Sequence, residues 1–285
     1  MTKQSGPVLI YTIKEMQTFS NNLRMDGKTI SFVPTMGALH EGHLSLLRGV
    51  KSKADVLVLS IFVNPTQFGP GEDYQAYTRD IEGDLKKIES IGVDAVFLPT
   101  ADEIYPSGFQ TYVEITELQK PLCGRFRPGH FKGVATVVLK LFNAVKPNVA
   151  VFGRKDYQQL RVIEQMVQDL NLEVEIIAMP TVREDSGLAL SSRNAYLNPE
   201  ELIQAKAISN SLREIKKEFN TGTKTNCDLI QIGETILNKA GITQIEYFEI
   251  RDSYTLEENT VANKGDVVAV AARVGKARLI DNIEL

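Results

Sequence analysis

Two of the chain's three histidines stand three residues apart in Met36-Gly37-Ala38-Leu39-His40-Glu41-Gly42-His43. Imidazoles can donate hydrogen bonds, carry protons and bind metals near neutral pH. The flanking residues narrow that choice. An apolar run, Ile30-Ser31-Phe32-Val33-Pro34, precedes the stretch, and an apolar-periodic segment, Leu44-Ser45-Leu46-Leu47, follows it. Strand, glycine loop and helix start form a phosphate-binding geometry, because the first helical N–H groups lack intrahelical partners and the helix dipole favours an anion. On this reading the stretch is a nucleotide site whose chemistry runs on histidine. The plainer account is a strand-to-helix turn whose histidines bond only to backbone.

The nearest phosphate and metal motifs are excluded by single residues. The glycines at 37 and 42 have P-loop spacing, but His43 and Leu44 stand where Lys and Ser/Thr are needed. His40 and His43 are one residue short of the i, i+4 pair of a zinc protease. A three-histidine zinc site built from His40, His43 and His130 remains a rival, with water activation as its chemistry. Lys155 and Arg193 count against it if they share the same rim, since they would repel a bare cation and attract a nucleotide.

Other polar clusters follow apolar runs. Asn64-Pro65-Thr66-Gln67 offers neutral amides for a small polar substrate, although Asn64-Pro65 is also turn chemistry. Gly153-Arg154-Lys155-Asp156 can set an ammonium on a phosphate and a carboxylate at a helix start. Leu190-Ser191-Ser192-Arg193 provides two hydroxyls and a guanidinium, which suit a phosphate chain or a polar turn. The basic segment from Arg125 to Gly133 reads either as a mobile flap over anions or as a solvent loop.

The elements that must position these residues alternate. Strand-like runs at 8–11, 29–33, 56–63, 93–98, 149–152 and 174–178 are separated by helical patterns at 43–53, 77–91, 134–145 and 156–170. Thr12-Ile13-Lys14-Glu15 matches a capping box, and Gly27 is placed to close the helix it opens. Continuous apolar strands between helices predict a doubly wound, Rossmann-like α/β domain, residues 1–180, with ligands beyond the carboxyl ends of its strands. Residues 181–285 then read as a smaller α+β domain, with helices at 199–219 and 228–240, a turn-rich segment at 220–223, and strands at 243–251 and 267–274.

Bulk properties limit the function classes. A 285-residue chain with 43% hydrophobic and 24% charged residues is of ordinary globular composition. Its net charge of −4 and pI near 5.6 argue against nucleic acid as the main partner. No apolar run approaches membrane-spanning length, the amino terminus lacks a signal-peptide core, and Cys123 and Cys227 read as reduced thiols. Together these predict a cytoplasmic protein.

The motifs taken together resemble the pantothenate synthetase (pantoate–β-alanine ligase) family of the nucleotidylyltransferase-like superfamily with HIGH-type histidine motifs. The resemblance runs from Phe32 to His43 and through Ser60-Ile61-Phe62-Val63-Asn64-Pro65-Thr66-Gln67-Phe68-Gly69. It continues in Arg127-Pro128-Gly129-His130-Phe131-Lys132-Gly133-Val134 and Lys155-Asp156-Tyr157-Gln158-Gln159-Leu160. It ends in Pro180-Thr181-Val182-Arg183 and Ser191-Ser192-Arg193-Asn194. Beyond about residue 198 the match is mainly one of length and layout.

The resemblance implies an ATP-dependent condensation of pantoate with β-alanine through a pantoyl-adenylate, in a cytoplasmic homodimer. It implies catalytic roles for His40, His43 and Lys155, with His43 in the proton-donor position. Met36, Gly37, Ala38, Leu39, His40, Glu41, Gly42 and His43 would contact ATP. Gly153, Arg154, Lys155, Asp156 and Val182 would hold the nucleotide, and Leu190, Ser191, Ser192 and Arg193 its phosphates. Gln67 and Gln159 would bind pantoate, with Gln67 also near β-alanine. Mg2+ would ride on the phosphates with few protein ligands, so no residue is assigned to a metal. Arg154 stands where relatives often carry Glu or Lys, and Leu190 replaces the usual Met.

Overall fold

The computed structural model of the chain describes residues 6–222 and 225–285. The amino-terminal stretch before Gly6 and the Thr223 end of the turn-rich segment lie outside the described residues. The chain forms two compact units. The first comprises residues up to Ile115, Pro128–Arg154 and Val162–Pro180; the second comprises Thr116–Arg127, Lys155–Arg161 and Thr181–Leu285. Two short excursions before residue 180, at 116–127 and 155–161, count with the second unit. Nothing in local composition marks those excursions.

In the first unit, six parallel strands lie in the order β1-β4-β3-β2-β5-β6. They are β1 (Val8–Ile10), β2 (Ile30–Thr35), β3 (Val56–Ile61), β4 (Ala95–Phe97), β5 (Val149–Gly153) and β6 (Glu175–Met179). The helices are α1 (Ile13–Met25), α2 (Glu41–Val50), α3 (Ile81–Ile88), the single turn α4 (Ala101–Ile104), α6 (His130–Val145) and most of α7 (Tyr157–Asp169). The one-turn α5 (Cys123–Phe126) lies in the second unit. From β2 the chain builds towards β4 on one side and, after β5, towards β6 on the other. The order therefore reverses between β2 and β5, and a doubly wound sheet takes its ligand at such a switch point.

Strand side chains alternate between two covered faces. Val33, Leu57, Leu59, Val96 and Val151 join Leu47 of α2 and Ile88 of α3 in one buried cluster. Phe32, adjacent to Val33, packs edge to face on Phe142 of α6, with ring centroids 6.4 Å apart. This double burial explains why the central strands β2 to β5 read as unbroken apolar runs, while the edge strands β1 and β6 stay partly exposed. The Thr12–Glu15 capping box is present at α1. α3 is shorter than the expected 77–91, because the Asp80 side chain accepts the Gly83 N–H at 2.9 Å and starts the helix there. The segment from Arg125 to Gly133 is not one loop, since α5 ends at Phe126 and α6 begins at His130.

The second unit is built on an antiparallel sheet, β7-β8-β9, of Ile245–Arg251, Val267–Val274 and Ala277–Glu284. Val268, Val270 and Ala272 bury one of its faces against Leu212 and Ile215 of α8 (Pro199–Thr221) and Leu229 and Leu237 of α9 (Asn226–Lys239). The strand β9 was not expected. It pairs with β8 through a two-residue turn, Gly275-Lys276, between Val274 and Ala277. Its inward alternation is broken by Asp281, a buried carboxylate that hides the strand's apolar period.

At Gly133 the first turn of α6 meets the chain after β3. A Cβ there would lie 2.8 Å from the Gln67 nitrogen, and closer still to the Thr66 carbonyl, both of them backbone atoms. Gly133→Ala should therefore destabilise the first unit by about 1–3 kcal/mol, the usual cost of overpacking. A denaturant titration tests this, and an unchanged midpoint would show that the contact is slack.

Candidate active site

The loop between β2 and α2 carries the histidines. Its entry is fixed by Thr35, whose hydroxyl donates to the Ser60 carbonyl at 2.7 Å and accepts the Gly37 N–H at 3.2 Å. Gly37 (φ +84°) and Ala38 (φ +50°) are consecutive left-handed residues that turn the chain sharply into the helix. Any side chain at Gly37 would also meet Ile61 Cγ2 at 2.9 Å and Asp84 Oδ2 at 3.1 Å. Asp84 is almost wholly buried, and its Oδ1 accepts the Leu39 N–H at 2.8 Å.

His40 is the N-cap of α2 and His43 its third residue, and together they make a capping box out of two imidazoles. His40 Nδ1 accepts the Gly42 N–H at 3.1 Å, and His43 Nδ1 accepts the His40 N–H at 3.3 Å. A backbone N–H can only donate, so both Nδ1 atoms must present lone pairs. In the neutral rings the proton therefore sits on Nε2 of each. The rings lie 4.2 Å apart between centroids. Two N–H donors at a helix N-terminus suit an anion. Glu41 is exposed and paired with Arg48 on the same helix.

After β3 the amides form a network around one buried residue. Asn64, 1% exposed, donates from Nδ2 to Gln67 Oε1 at 3.0 Å and to the Gly133 carbonyl at 3.2 Å. Its Oδ1 accepts from the Thr66 hydroxyl at 2.9 Å and the Tyr105 hydroxyl at 2.8 Å. These contacts fix the Gln67 amide with Oε1 as acceptor and Nε2 as donor, and Nε2 lies 3.2 Å from Met36 Sδ. His130 Nδ1 donates to the Gln67 carbonyl at 2.7 Å, which is the opposite tautomer to the other two histidines if the ring is neutral. Burial pushes the Tyr105 phenol up to about 12, so it stays a donor across the physiological range. The first unit thus joins Met36, Asn64, Gln67 and His130 by direct contacts. Among the described residues no group of three His, Cys, Asp or Glu side chains could hold a metal ion.

Gly153, half-buried, ends β5, and the exposed Arg154 begins the short turn Arg154–Asp156. The remaining expected residues belong to the second unit. Lys155 is half-buried, and its carbonyl accepts from Asn282 Nδ2 at 2.9 Å; Asp156 is exposed. The neighbouring glutamines of α7 differ in role. Gln158 is buried and spends its amide on Cys123 N, Leu118 O and Pro121 O, whereas Gln159 is half-buried. Val182 O accepts the Leu190 N–H at 3.0 Å, so these two residues pair through backbone. Arg183 grips Asp281 at 2.6 and 2.9 Å and also donates to the carbonyls of Gly187 and Asn282. Ser191 caps the short turn Ser192–Tyr196 by accepting the Arg193 N–H. One strand end, Asp281-Asn282, therefore holds both the Lys155 backbone and the turn that leads to Ser191, Ser192 and Arg193.

The residues that composition did not single out are Asp84, Tyr105, Asp281, Asn282 and Lys87, whose Nζ donates to the Leu39 carbonyl at 2.7 Å. Each bonds a residue of the sequence motifs from far along the chain, and only the buried Asp281 leaves a trace in the sequence, as a charge within an otherwise apolar alternation.

Comparison with known proteins accounts for nearly the whole chain. The family described as pantoate-beta-alanine ligase matches residues 8–284. Pantothenate synthetase from Thermotoga neapolitana is 55% identical over 277 residues, covering 96% of this chain and 98% of that protein. Pantothenate synthetase from Aquifex aeolicus is 52% identical over 280 residues, covering 97% and 98%. The crystal structure of pantothenate synthetase from Thermus thermophilus superposes with a TM-score of 0.92 at 42% identity, covering 97% of this chain and 99% of that one. Pantoate-beta-alanine ligase from Francisella tularensis, complexed with beta-gamma ATP and beta-alanine, superposes with a TM-score of 0.81 at 38% identity, covering 98% and 97%.

Tyr105→Phe removes one donor from Asn64 Oδ1 while keeping the ring. The Gln67 amide should lose its single orientation, and stability should fall by about 1 kcal/mol, the net worth of one hydrogen bond. Thermal melts together with side-chain amide NMR signals measure both effects, and a single unshifted Gln67 amide pair would show that Tyr105 does not hold the network.

Proposed function

The chain belongs to the pantoate–β-alanine ligase family, and on that premise we propose that it condenses pantoate with β-alanine at the expense of ATP, giving pantothenate, AMP and pyrophosphate. The observation that carries this reading is the histidine pair at the start of α2, with both Nδ1 atoms occupied by backbone N–H groups. Each neutral ring thereby carries its proton on Nε2 and can donate a hydrogen bond to a phosphate oxygen, where charge develops during adenylyl transfer to a carboxylate.

In the first step a pantoate carboxylate oxygen attacks the α-phosphorus of ATP, and the bond to the β-phosphate oxygen breaks to release pyrophosphate. A carboxylate is ionised at neutral pH, so this step needs no protein base. It needs positioning and neutralisation of charge on the phosphates. We assign that work to His40, His43 and Lys155 as catalytic residues, with Ser191, Ser192 and Arg193 on the phosphates. The backbone from Met36 to Gly42, and Gly153, Arg154, Asp156, Val182 and Leu190, hold the nucleotide. In the second step the unprotonated amine of β-alanine attacks the acyl carbon; AMP leaves and the amine gives up a proton. Gln67 and Gln159 bind pantoate. The fixed Gln67 amide, acceptor on one side and donor on the other, supports that role.

Magnesium enters with the nucleotide. The donors at the histidine loop fit phosphate oxygens rather than a cation, so a magnesium ion would be bound by the phosphates, with few protein ligands, and would supply charge neutralisation there. The same reading makes the protein a cytoplasmic homodimer. The acidic pI argues against nucleic acid as a partner, and no helix among the described residues is long and apolar enough to cross a membrane. Sedimentation equilibrium tests the dimer.

Pantoate-dependent exchange of labelled pyrophosphate into ATP isolates the first step, and β-alanine-dependent release of AMP isolates the second. Exchange without any pantothenate would reduce the protein to an adenylating enzyme. No exchange at all would overturn the reading.

His43→Ala should lower exchange by roughly two orders of magnitude or more, the usual effect of removing one donor to developing charge. Lys155→Ala should damage the first step comparably and spare the reaction of supplied pantoyl-adenylate with β-alanine. Equal loss in both steps would assign Lys155 a structural role.

Gln67→Ala should weaken pantoate binding by one to two decades, about 1–3 kcal/mol for polar groups left unpaired, with ATP binding little changed. Calorimetric titration of each ligand decides it, and weakened ATP binding beside unchanged pantoate binding would remove Gln67 from the substrate pocket.

A further inference from the structure

The peptide unit between Leu39 and His40 is gripped at both ends. Its carbonyl oxygen, Leu39 O, accepts from Lys87 Nζ at 2.7 Å. Its N–H, on His40, donates to His43 Nδ1 at 3.3 Å. One planar amide therefore links an ammonium on α3 to the imidazole assigned as the proton donor. The preceding N–H, on Leu39, donates to Asp84 Oδ1 at 2.8 Å, and Lys87 Nζ lies 3.2 Å from that same oxygen. Asp84 and Lys87, three residues apart on one helix face, thus hold both polar backbone groups of Leu39.

We propose that Lys87 is a positioning residue for His43, acting through the Leu39–His40 peptide, with Asp84 as its anchor. The proposal rests on the histidine role given above. The physics has two parts. The loop contains two left-handed residues, Gly37 and Ala38, of which the alanine is strained. Such a turn persists only where its surroundings over-determine it, and the Asp84–Lys87 pair supplies that constraint immediately before the histidines. In addition, a cation on a peptide oxygen polarises the amide and strengthens its N–H as a donor. That N–H occupies His43 Nδ1 and so keeps the proton on Nε2, where a phosphoryl oxygen can receive the bond. Lys87 therefore selects the tautomer without touching the reacting atoms.

Lys87→Met keeps the length of the side chain and removes the charge, at a position whose side chain is 43% exposed, so the protein should fold. Three readouts separate the possibilities. The imidazole 15N spectrum of the free enzyme at mildly alkaline pH should show His43 as the Nε2–H tautomer in the wild type and as a mixture in the variant. Pyrophosphate exchange at saturating ATP and pantoate should fall roughly tenfold, about the worth of one charge-assisted hydrogen bond, with KM for pantoate unchanged. Lys87→Arg should restore most of both signals. Asp84→Asn, which keeps an acceptor for Leu39, should give a smaller effect in the same direction.

An unchanged His43 tautomer in Lys87→Met overturns the proposal whatever happens to activity. A raised KM for ATP with an unchanged imidazole spectrum would place Lys87 directly on the nucleotide instead. Equal loss in both half-reactions with a lowered melting temperature would make it merely structural. Because the tautomer is read without substrate, absence of exchange in the wild type would sink the functional reading and leave this test standing.

Discussion

The first backbone N–H groups of an α-helix have no partner within the helix, and here two of the N–H groups that open α2 are taken by imidazole nitrogens. Most N-caps use a hydroxyl or carboxylate oxygen, which ends its role when the bond is made. An imidazole has a second nitrogen. Committing Nδ1 to a backbone donor fixes which atom carries the proton, and that atom becomes a directed donor in its own right. The bonds that cap the helix are thus the same ones that leave each ring its proton on Nε2. The rest of the first unit's polar structure keeps that loop in place: Thr35 at its entry, Asp84 and Lys87 at its middle, and the β2–β5 reversal beneath it.

The second polar centre of that unit follows the same logic with different groups. Asn64 is nearly inaccessible, and both ends of its amide are bonded, so the Gln67 amide beside it has one orientation. Tyr105 contributes because burial keeps its phenol protonated. Gly133 allows α6 to approach the same turn closely enough for the His130 ring to reach the Gln67 carbonyl. A neutral amide oriented in this way can tell donor from acceptor on a small polar ligand without adding charge beside an anion.

In the second unit the organising element is the end of β9. The buried carboxylate of Asp281 would be costly alone, and the guanidinium of Arg183 pairs with it in bidentate fashion. Asn282, the next residue, donates to the Lys155 carbonyl and accepts from Arg183 with its own carbonyl. Arg183 and Lys155, 98 and 127 positions back along the chain, are thereby set by two consecutive residues.

Much of this could be read from the chain alone, and the reason is local. The central strands β2 to β5 were legible because burial on both faces demands unbroken apolar runs, the edge strands β1 and β6 because their short apolar runs stand between helical patterns, and a capping box such as Thr12–Glu15 is complete within four residues. The histidine loop, the Asn64–Gln67 cluster and the family resemblance were legible because chemistry of this kind needs specific residue types at short spacing. What tertiary structure decided is everything that depends on partners distant in sequence. It decided that Gln158 is spent on backbone while Gln159 is not, though the two are adjacent and identical. It decided that an unremarkable Asp84–Lys87 pair grips Leu39, that residues 130–133 are helix rather than loop, and that β9 exists although a buried charge interrupts its apolar alternation. Hydrogen-bond direction decided the histidine tautomers, since the ring's proton follows whichever backbone group reaches it, and no spacing along the chain encodes that encounter.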